Sequence, residues 1–494
     1  MSSAKRQKMQ EAEAEAKNAT RVGQFVNYLN AASTAYHCVQ EVKRILLHHG
    51  FEELDITTPW KLKPGSKYFY TRSGTAMVTF AVGGKYNPDT SGAVFIGCHT
   101  DSPCIKLKPI SKLEKGSDVM LGVVGYGGGL WHTWFDRDLS VAGRVLVRDS
   151  SGKATSHLVQ IKKPIARISN LAIHLLTADE RGTFKPSLQN HAPPILATTL
   201  RESLWAAVGE QGKAATPADG SAAPRTHPLL LMLIAKELGC QPSSIEDFEL
   251  QLVDTQPACI GGACDEFIYS GRIDNQYSCF AAITALVETL PSLSEDSSVR
   301  MVALFDHEEV GSCSAMGAEG PLMNDSLNRI SSALAADPSR DPGAAAFRAR
   351  CFHLSFDMAH AVHPNYADRH DGSHGPKLGK GLTIKHNANQ RYATNCVSAT
   401  YIRRFGAIAG EPIQEFAVKA DSPCGSTIGP IISAGTGVTT CDIGVPQLSM
   451  HSIRETMHVD DVDQGTNVLK AAFEHYAEVR EAVAGEAICL PCPR

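Results

Sequence analysis

The 494-residue sequence predicts an α/β fold: a central mixed, mostly parallel sheet flanked by helices and interrupted by an inserted β-rich domain. Three observations predict it. The short apolar run Ala93 to Cys98 has the character of a central strand, and Val299 to Phe305, Cys351 to Phe356 and Thr439 to Ile443 are further strand candidates. Helical stretches separate them, the alternation expected of strands joined by crossovers. Between about 107 and 247 the texture changes to short alternating runs and glycine turns, and ionisable residues stand where the apolar runs end.

Residues 1–20 carry charges of both signs and no apolar core, so a flexible arm is expected there rather than a secretory signal. From Val22 to Leu54 the pattern predicts an amphipathic helix pair closed by His-Gly, followed by the 93–98 strand. These make residues 1–106 the first part of the α/β domain. The insertion, 107–247, holds the glycine cluster Gly125, Gly127, Gly128 and Gly129, then the alternating runs GRVLVRD (143–149) and HLVQI (157–161). Its late part, 209–228, is low-complexity and predicts a surface loop. Residues 248–494 resume the α/β pattern with a strand at Phe248 to Asp254 and a helix from Asn275 to Leu290, stopped by Pro291.

Composition narrows the classes. Hydrophobic residues make up 43% and charged residues 20%, with a formal net charge of −5 and a pI near 6.4. That is the profile of a soluble globular protein with no electrostatic case for nucleic acid. No apolar run approaches the ~20 residues that span a bilayer, so no membrane is expected. The 14 cysteines are scattered, and the pair Cys489 and Cys492 has no companion pair. They read as reduced core thiols of a cytoplasmic protein.

The segment MVALFDHEEVGS (301–312) ends a strand in Asp306, His307, Glu308 and Glu309. Charge at the end of a core strand is costly unless a metal or an opposite charge compensates it, and open α/β sheets bind ligands at that edge. The adjacent glutamates fit one carboxylate that ligates and one that moves a proton. A solvated acidic turn before Gly311 explains this one segment equally well. Four further strand ends carry potential ligands: His99 with Asp101 two residues on, Asp274, Asp357 and His451. Singly, Asp274 reads as a helix N-cap and His451 as a loop histidine; together they require five coincidences. Two imidazoles and three carboxylates are too many for one tetrahedral zinc. Shared by two ions with one bridging carboxylate, they make a two-metal hydrolytic site, in which Glu308 remains free as general base.

The motifs HTDSP (99–103), RIDNQ (272–276), FDHEEVGS (305–312), SFDMAH (355–360) and SMHSIRE (449–455) occur in the order seen in aspartyl aminopeptidases, metallopeptidases of the co-catalytic zinc group. The resemblance extends through YGGGLWHTWFDRDLSVAGRV (126–145), NLAIHL (170–175), KHNANQRYATN (385–395) and DSPCGSTIGPI (421–431), from about Gly23 to Val479. It implies that Asp274 bridges two Zn²⁺ per subunit, that His99 and Asp357 complete one shell, and that Glu309 and His451 complete the other. Mn²⁺ or Co²⁺ suits the same donors. Asp101 would orient His99, and Glu308 would be the base.

The resemblance also implies a homo-oligomer, a tetrahedral dodecamer built from dimers through the inserted domain. His174 would reach a neighbour's active site; without the resemblance it reads as a buried histidine in an apolar segment. The implied substrates are peptides with N-terminal Asp or Glu, recognised by Lys385, which otherwise reads as a surface lysine. Such a contact, partly desolvated, is worth roughly 1.5–3 kcal/mol. His360 and His363 are expected to support the site, and Trp131, His132, Trp134, Asp136 and Asp138 to form a packed hinge. Two other readings stand beside this one: a metallohydrolase of the same scaffold with neutral substrates, and an assembly protein with a silent site.

Overall fold

The computed structural model describes residues 19–201, 222, 225–335 and 344–483. The charged arm up to residue 18, most of the low-complexity stretch 209–228, and the segment with Cys489 and Cys492 lie outside the described residues.

A nine-stranded sheet forms the centre. Its order is Glu52–Glu53, Lys67–Arg72, Ala76–Val82, Val299–Phe305, Ala93–His99, Phe352–Phe356, Thr439–Gly444, Leu382–Lys385 and Ile413–Phe416. The pairings from Val299–Phe305 through Thr439–Gly444 are all parallel, and antiparallel pairs lie to either side. The sheet is therefore mixed and mostly parallel, as its sequence predicts. Every residue of Val299–Phe305 and of Ala93–His99 is buried, which explains why both are mainly apolar, since both faces are covered; the buried Arg300 is paired with Asp296 at 2.7 Å. Val302 and Leu304 pack with Phe25, Val42, Tyr277 and Phe473 from the helices on one face. Met301, Ala303 and Phe305 pack with Leu327 and Ile432 from helices on the other.

The predicted helix pair is Arg21–Ala31 and Ala35–His48; the Thr20 and Thr34 hydroxyls cap the two N-termini, and Gly50 turns the chain at φ 74°. Ile273–Glu288 is apolar almost all round and accordingly buried along most of its length, as a helix hydrophobic on every face must be.

A second, antiparallel sheet has the order Ala154–Gln160, Leu139–Arg148, Ile245–Asp254, Cys104–Lys115, Asp118–Tyr126 and Ile195–Thr198. Its apolar cluster joins Leu121, Val141 and Leu252 to Leu230 and Ile234 of the helix Pro228–Leu238. The strand Ile245–Asp254 belongs here, although its sequence was expected to resume the central α/β pattern at Phe248. Alternation shows that a strand has one covered face, and not which sheet covers it. A small sheet of Cys259–Gly261, Phe267–Ser270 and Glu455–His458 links the last strand of this region to the segment carrying His451.

Among the described residues no helix is long and apolar enough to cross a membrane. The described cysteines are all free; Cys38, Cys98, Cys104, Cys279, Cys351 and Cys441 are buried, but Cys264, Cys313 and Cys396 are exposed. The reading of the thiols as core residues therefore holds for only part of them.

Candidate metal centre

The parallel register pairs Phe305 with His99, so the chain leaving Phe305 emerges beside the imidazole. It turns at once: His307 lies at φ 64°, and Glu308 and Glu309 follow in a single 3₁₀ turn closed by Gly311. Asp357 follows Phe356, the end of the next parallel strand. Asp274 lies at the start of the buried helix but out of helical conformation, with φ −81° and ψ 108°. Its carboxylate makes no cap, which removes the N-cap reading. His451 sits at φ 67° in the turn before Glu455–His458. Left-handed backbone at residues other than glycine is costly and gathers where side chains must be aimed.

The five strand-end residues converge. His99 Nε2 lies 3.4 Å from Asp274 Oδ1 and 3.5 Å from Asp357 Oδ1. His451 Nε2 lies 3.5 Å from Asp274 Oδ2 and 3.4 Å from Glu309 Oε2. The two oxygens of Asp274 thus face two different imidazoles. Glu308 Oε2 stands 3.9 Å from His99 Nε2, at the edge of the group.

The ring tautomers are set from outside. His99 Nδ1 donates to the Asp101 carbonyl at 3.0 Å, and His451 Nδ1 donates to the Gly128 carbonyl at 2.9 Å. Each Nε2 is thereby left to face the carboxylates. Burial disfavours its proton, but the surrounding carboxylates outweigh burial and raise both imidazoles, His451 to about 10, so the atom carries a proton unless a metal replaces it. Positive charge, as a proton or a metal ion, must lie between each Nε2 and the oxygens it faces. Neighbouring ligands of a tetrahedral ion with bonds of ~2.0–2.2 Å are about 3.3–3.6 Å apart, and these pairs match that spacing. Asp274 Oδ1 and Glu309 Oε1 are buried with no hydrogen-bond partner. The donor set fits divalent cations.

Electrostatics agree. Counting the protein's own groups, burial pushes the Glu308 carboxyl up to about 8; His99 opposes this, and Asp357, Asp101 and Asp274 add to it. Glu309 is raised well above its usual range by burial and then by Asp274. Burial would also raise Asp274, but His451 and His99 hold it below the usual carboxylate range. A buried cluster with more carboxylates than cations needs added positive charge before all of them can ionise.

Asp101 meets His99 through its main chain and the glutamate turn through its side chain. Its carbonyl, rather than its carboxylate, lies nearest the His99 ring; Oδ1 stands 3.5 Å from Nδ1. The carboxylate accepts the main-chain N–H groups of Glu308 and Glu309, each at 3.1 Å, and the Tyr126 hydroxyl at 2.6 Å. It therefore holds the glutamate turn. Tyr126 ends a strand of the second sheet, and the glycines after it let the chain pass close by. A Cβ on Gly127 would lie 3.1 Å from that of Glu309. Leu130 N–H donates to the His451 carbonyl at 2.9 Å, and Ile453 N–H to Thr133 Oγ1 at 3.1 Å.

Lys385 is 3% exposed, with Nζ 4.0 Å from Asp357 Oδ2 and 5.5 Å from the Tyr392 ring centroid. The surface-lysine reading fails. His174 is exposed on the short turn Ile173–Leu175, away from the cluster, beside Ile173 at 62% and Leu175 at 69% exposure. The buried-histidine reading fails too. The loop bearing it is anchored where Asn170 N–H and Nδ2 donate to Asp136 Oδ1 and Oδ2 at 3.1 and 2.7 Å. Trp134 is buried and His132 exposed. His360 packs its ring on Phe416, and His363 Nδ1 accepts the Asn365 N–H; neither joins the cluster. A cavity of roughly 570 Å³ between the sheets touches Asp101, Tyr126, Asp306 and His307 but none of the five converging residues.

Sequence reasoning assigned no part to Tyr126 or Glu455. Glu455 is buried and accepts the main-chain N–H groups of both Asp274 and His451. The one signal for it was alternation: Glu455 shares a strand face with buried Met457.

Comparison with known proteins completes the assignment. The chain is 47% identical over 471 residues to a probable aspartyl aminopeptidase of Ricinus communis, covering 92% of this chain and 95% of that protein. Among solved structures, the one described as the Ape4 and Nbr1 complex matches at TM-score 0.88 and 39% identity, covering 96% of this chain and 89% of that one. The S. cerevisiae mApe1 dodecamer matches at TM-score 0.81 and 27% identity, covering 94% and 98%. The model of a family described as aminopeptidase I zinc metalloprotease (M18) matches residues 28–473. The chain belongs to that family and is a metalloaminopeptidase of the aspartyl aminopeptidase type.

Proposed function

We propose that the chain removes N-terminal Asp and Glu from peptides at a dinuclear centre. The observation that carries this reading is Asp274, whose two oxygens face the Nε2 atoms of His99 and His451 separately. His99 and Asp357 would hold one ion, Glu309 and His451 the other, and Asp274 both. Zinc accords with the family's description, and Mn²⁺ or Co²⁺ suits the donors equally. A bound ion pair supplies carbonyl polarisation and a water that ionises near neutrality.

The chain's own residues do the rest. Glu308 stands at the edge of the donor group; it takes a proton from the attacking water and returns it to the leaving nitrogen. Asp101 fixes the turn from which Glu308 reaches. Lys385, buried beside Asp357, supplies the cation that reads the substrate's side-chain carboxylate.

The 107–247 region is the oligomerisation domain of a tetrahedral dodecamer built from dimers, in a cytoplasmic protein. The solved dodecamer of a relative supports this, as do the exposed Leu171, Ile173 and Leu175, which suit burial against another subunit. His174, at the tip of that loop, serves a neighbour's site.

Metal analysis combined with N-terminal Asp, Glu, Ala and Leu amides tests the reading. The expected result is two ions per chain and a preference for Asp and Glu. Lys385→Ala should lose about 10- to 100-fold on the acidic amides and little on the neutral ones. Equal losses on all four sink the pocket assignment. A neutral preference in the parent points to the other hydrolase reading, and no turnover at full metal content to the scaffold.

A further inference from the structure

Glu455 has no part in the reaction above, yet it is 2% exposed and lies against the centre's main chain. Its Oε2 accepts the Asp274 N–H at 3.1 Å; its Oε1 accepts the His451 N–H at 2.8 Å and the Gln447 side-chain amide at 3.3 Å. One carboxylate therefore ties together two residues that are far apart in sequence. Both need holding. Asp274 interrupts its helix and His451 lies at positive φ, conformations that persist only where their surroundings impose them.

The location of Glu455 suits the task. Glu455 pairs with Ser270 across the small sheet, and Ser270 leads within four residues to Asp274. Four residues before Glu455 stands His451. Both segments thus leave from the one strand pair, with Glu455 where they diverge. A carboxylate on two amide N–H groups is a charge-assisted arrangement, and its rigidity passes directly to the atoms that face the cation position.

We propose that Glu455 is a positioning residue that sets the separation of Asp274 and His451, and with it the affinity of the cation position they share with Glu309. This rests on the two-ion reading above. A carboxylate serving the fold alone would act otherwise, and the chain contains such a comparison. Asp461 is buried and accepts the N–H groups of Gly379 and Gly381 at 2.8 and 2.9 Å, away from the five converging residues.

The test titrates the metal-free full-length protein with Zn²⁺ against a chromogenic chelator, for the parent, Glu455→Gln and Asp461→Asn. Co²⁺ absorption spectra and metal-free unfolding midpoints are recorded for each. Glu455→Gln, which sets a donor against one of the two N–H groups, should weaken the zinc equivalent shared with His451 about 10- to 100-fold, weaken the other, which Asp274 also holds, distinctly less, and alter the Co²⁺ spectrum. Asp461→Asn should lower the midpoint and leave both zinc constants alone. If Glu455→Gln does not fold, Glu455→Asp carries the same expectation, because its shorter side chain cannot span both amides. Parent-like binding of both equivalents would overturn the proposal. So would equal weakening of both with a lowered midpoint. A parent that binds one equivalent overturns the two-ion reading instead, and the proposal falls with it.

Discussion

In the proposed reaction the chemistry turns on Asp274, because a carboxylate whose two oxygens face two different imidazoles is placed to serve two cations. On that proposal Glu308, next to the converging Glu309, is left for proton transfer. Glu308→Gln should lower kcat by about 10²- to 10⁴-fold while bound metal stays at the parent level; near-normal turnover would refute its role. Remote from substrate, His353 stacks on Phe95 at 4.5 Å between centroids, and burial pushes its imidazole down to about 3. A histidine depressed on folding gives its full stabilisation above the unfolded value near 6.5 and loses it as pH falls toward 3. The slope is at most about 1.4 kcal/mol per pH unit. Denaturant unfolding of the metal-free chain should show the parent losing stability relative to His353→Gln between pH 6.5 and 4; a constant difference would contradict this. At this scale the converging residues were legible, since charge rarely ends a buried strand without cause. Asp101 was legible as the partner of His99 but not as the brace of the glutamate turn, and Glu455 was not legible, because both carboxylates act on the N–H groups of residues distant in sequence.

The turn from Tyr126 to Thr133 meets the centre from the second sheet. It touches Asp101 through a hydroxyl, Glu309 through a glycine surface, and the His451 segment through three hydrogen bonds, made by the Gly128 carbonyl, the Leu130 N–H and the Thr133 hydroxyl. Tyr126→Phe removes one hydrogen bond to a buried carboxylate, an interaction worth ~1.5–3 kcal/mol. Relaxation of the glutamate turn should lower kcat roughly tenfold, with KM and metal content retained; unchanged kcat would show that the two amide bonds hold Asp101 unaided. The glycine cluster was visible in the sequence as turn chemistry. Its purpose was not, because close approach is a property of what comes near and not of the glycine. Strands were legible by apolar run or alternation, whereas the sheet joined by Ile245–Asp254 was decided by pairing with Leu139–Arg148.

For the whole molecule, the α/β core could be read from the order of strands and helices, and the site from where those strands end. How subunits meet is written in surface shape, which periodicity does not record. The proposed role of His174 is testable by complementation. Oligomers reassembled from Glu308→Gln and His174→Ala chains should regain activity that neither has alone, since some sites then combine an intact Glu308 with a neighbour's intact His174. Mixtures as inactive as their parents would place His174 outside any neighbouring site.

The pairing of Phe305 with His99 also limits how such a chain can change in length over generations. One residue gained or lost within Ala93–His99 or Val299–Phe305 would turn every later side chain to the opposite face and carry His99 or Glu308 out of the group. The turn between Arg148 and Ala154, which closes a hairpin of the second sheet, can lengthen without disturbing that pairing. Related chains should therefore differ in length at such hairpin ends and keep constant the spacing within these two strands.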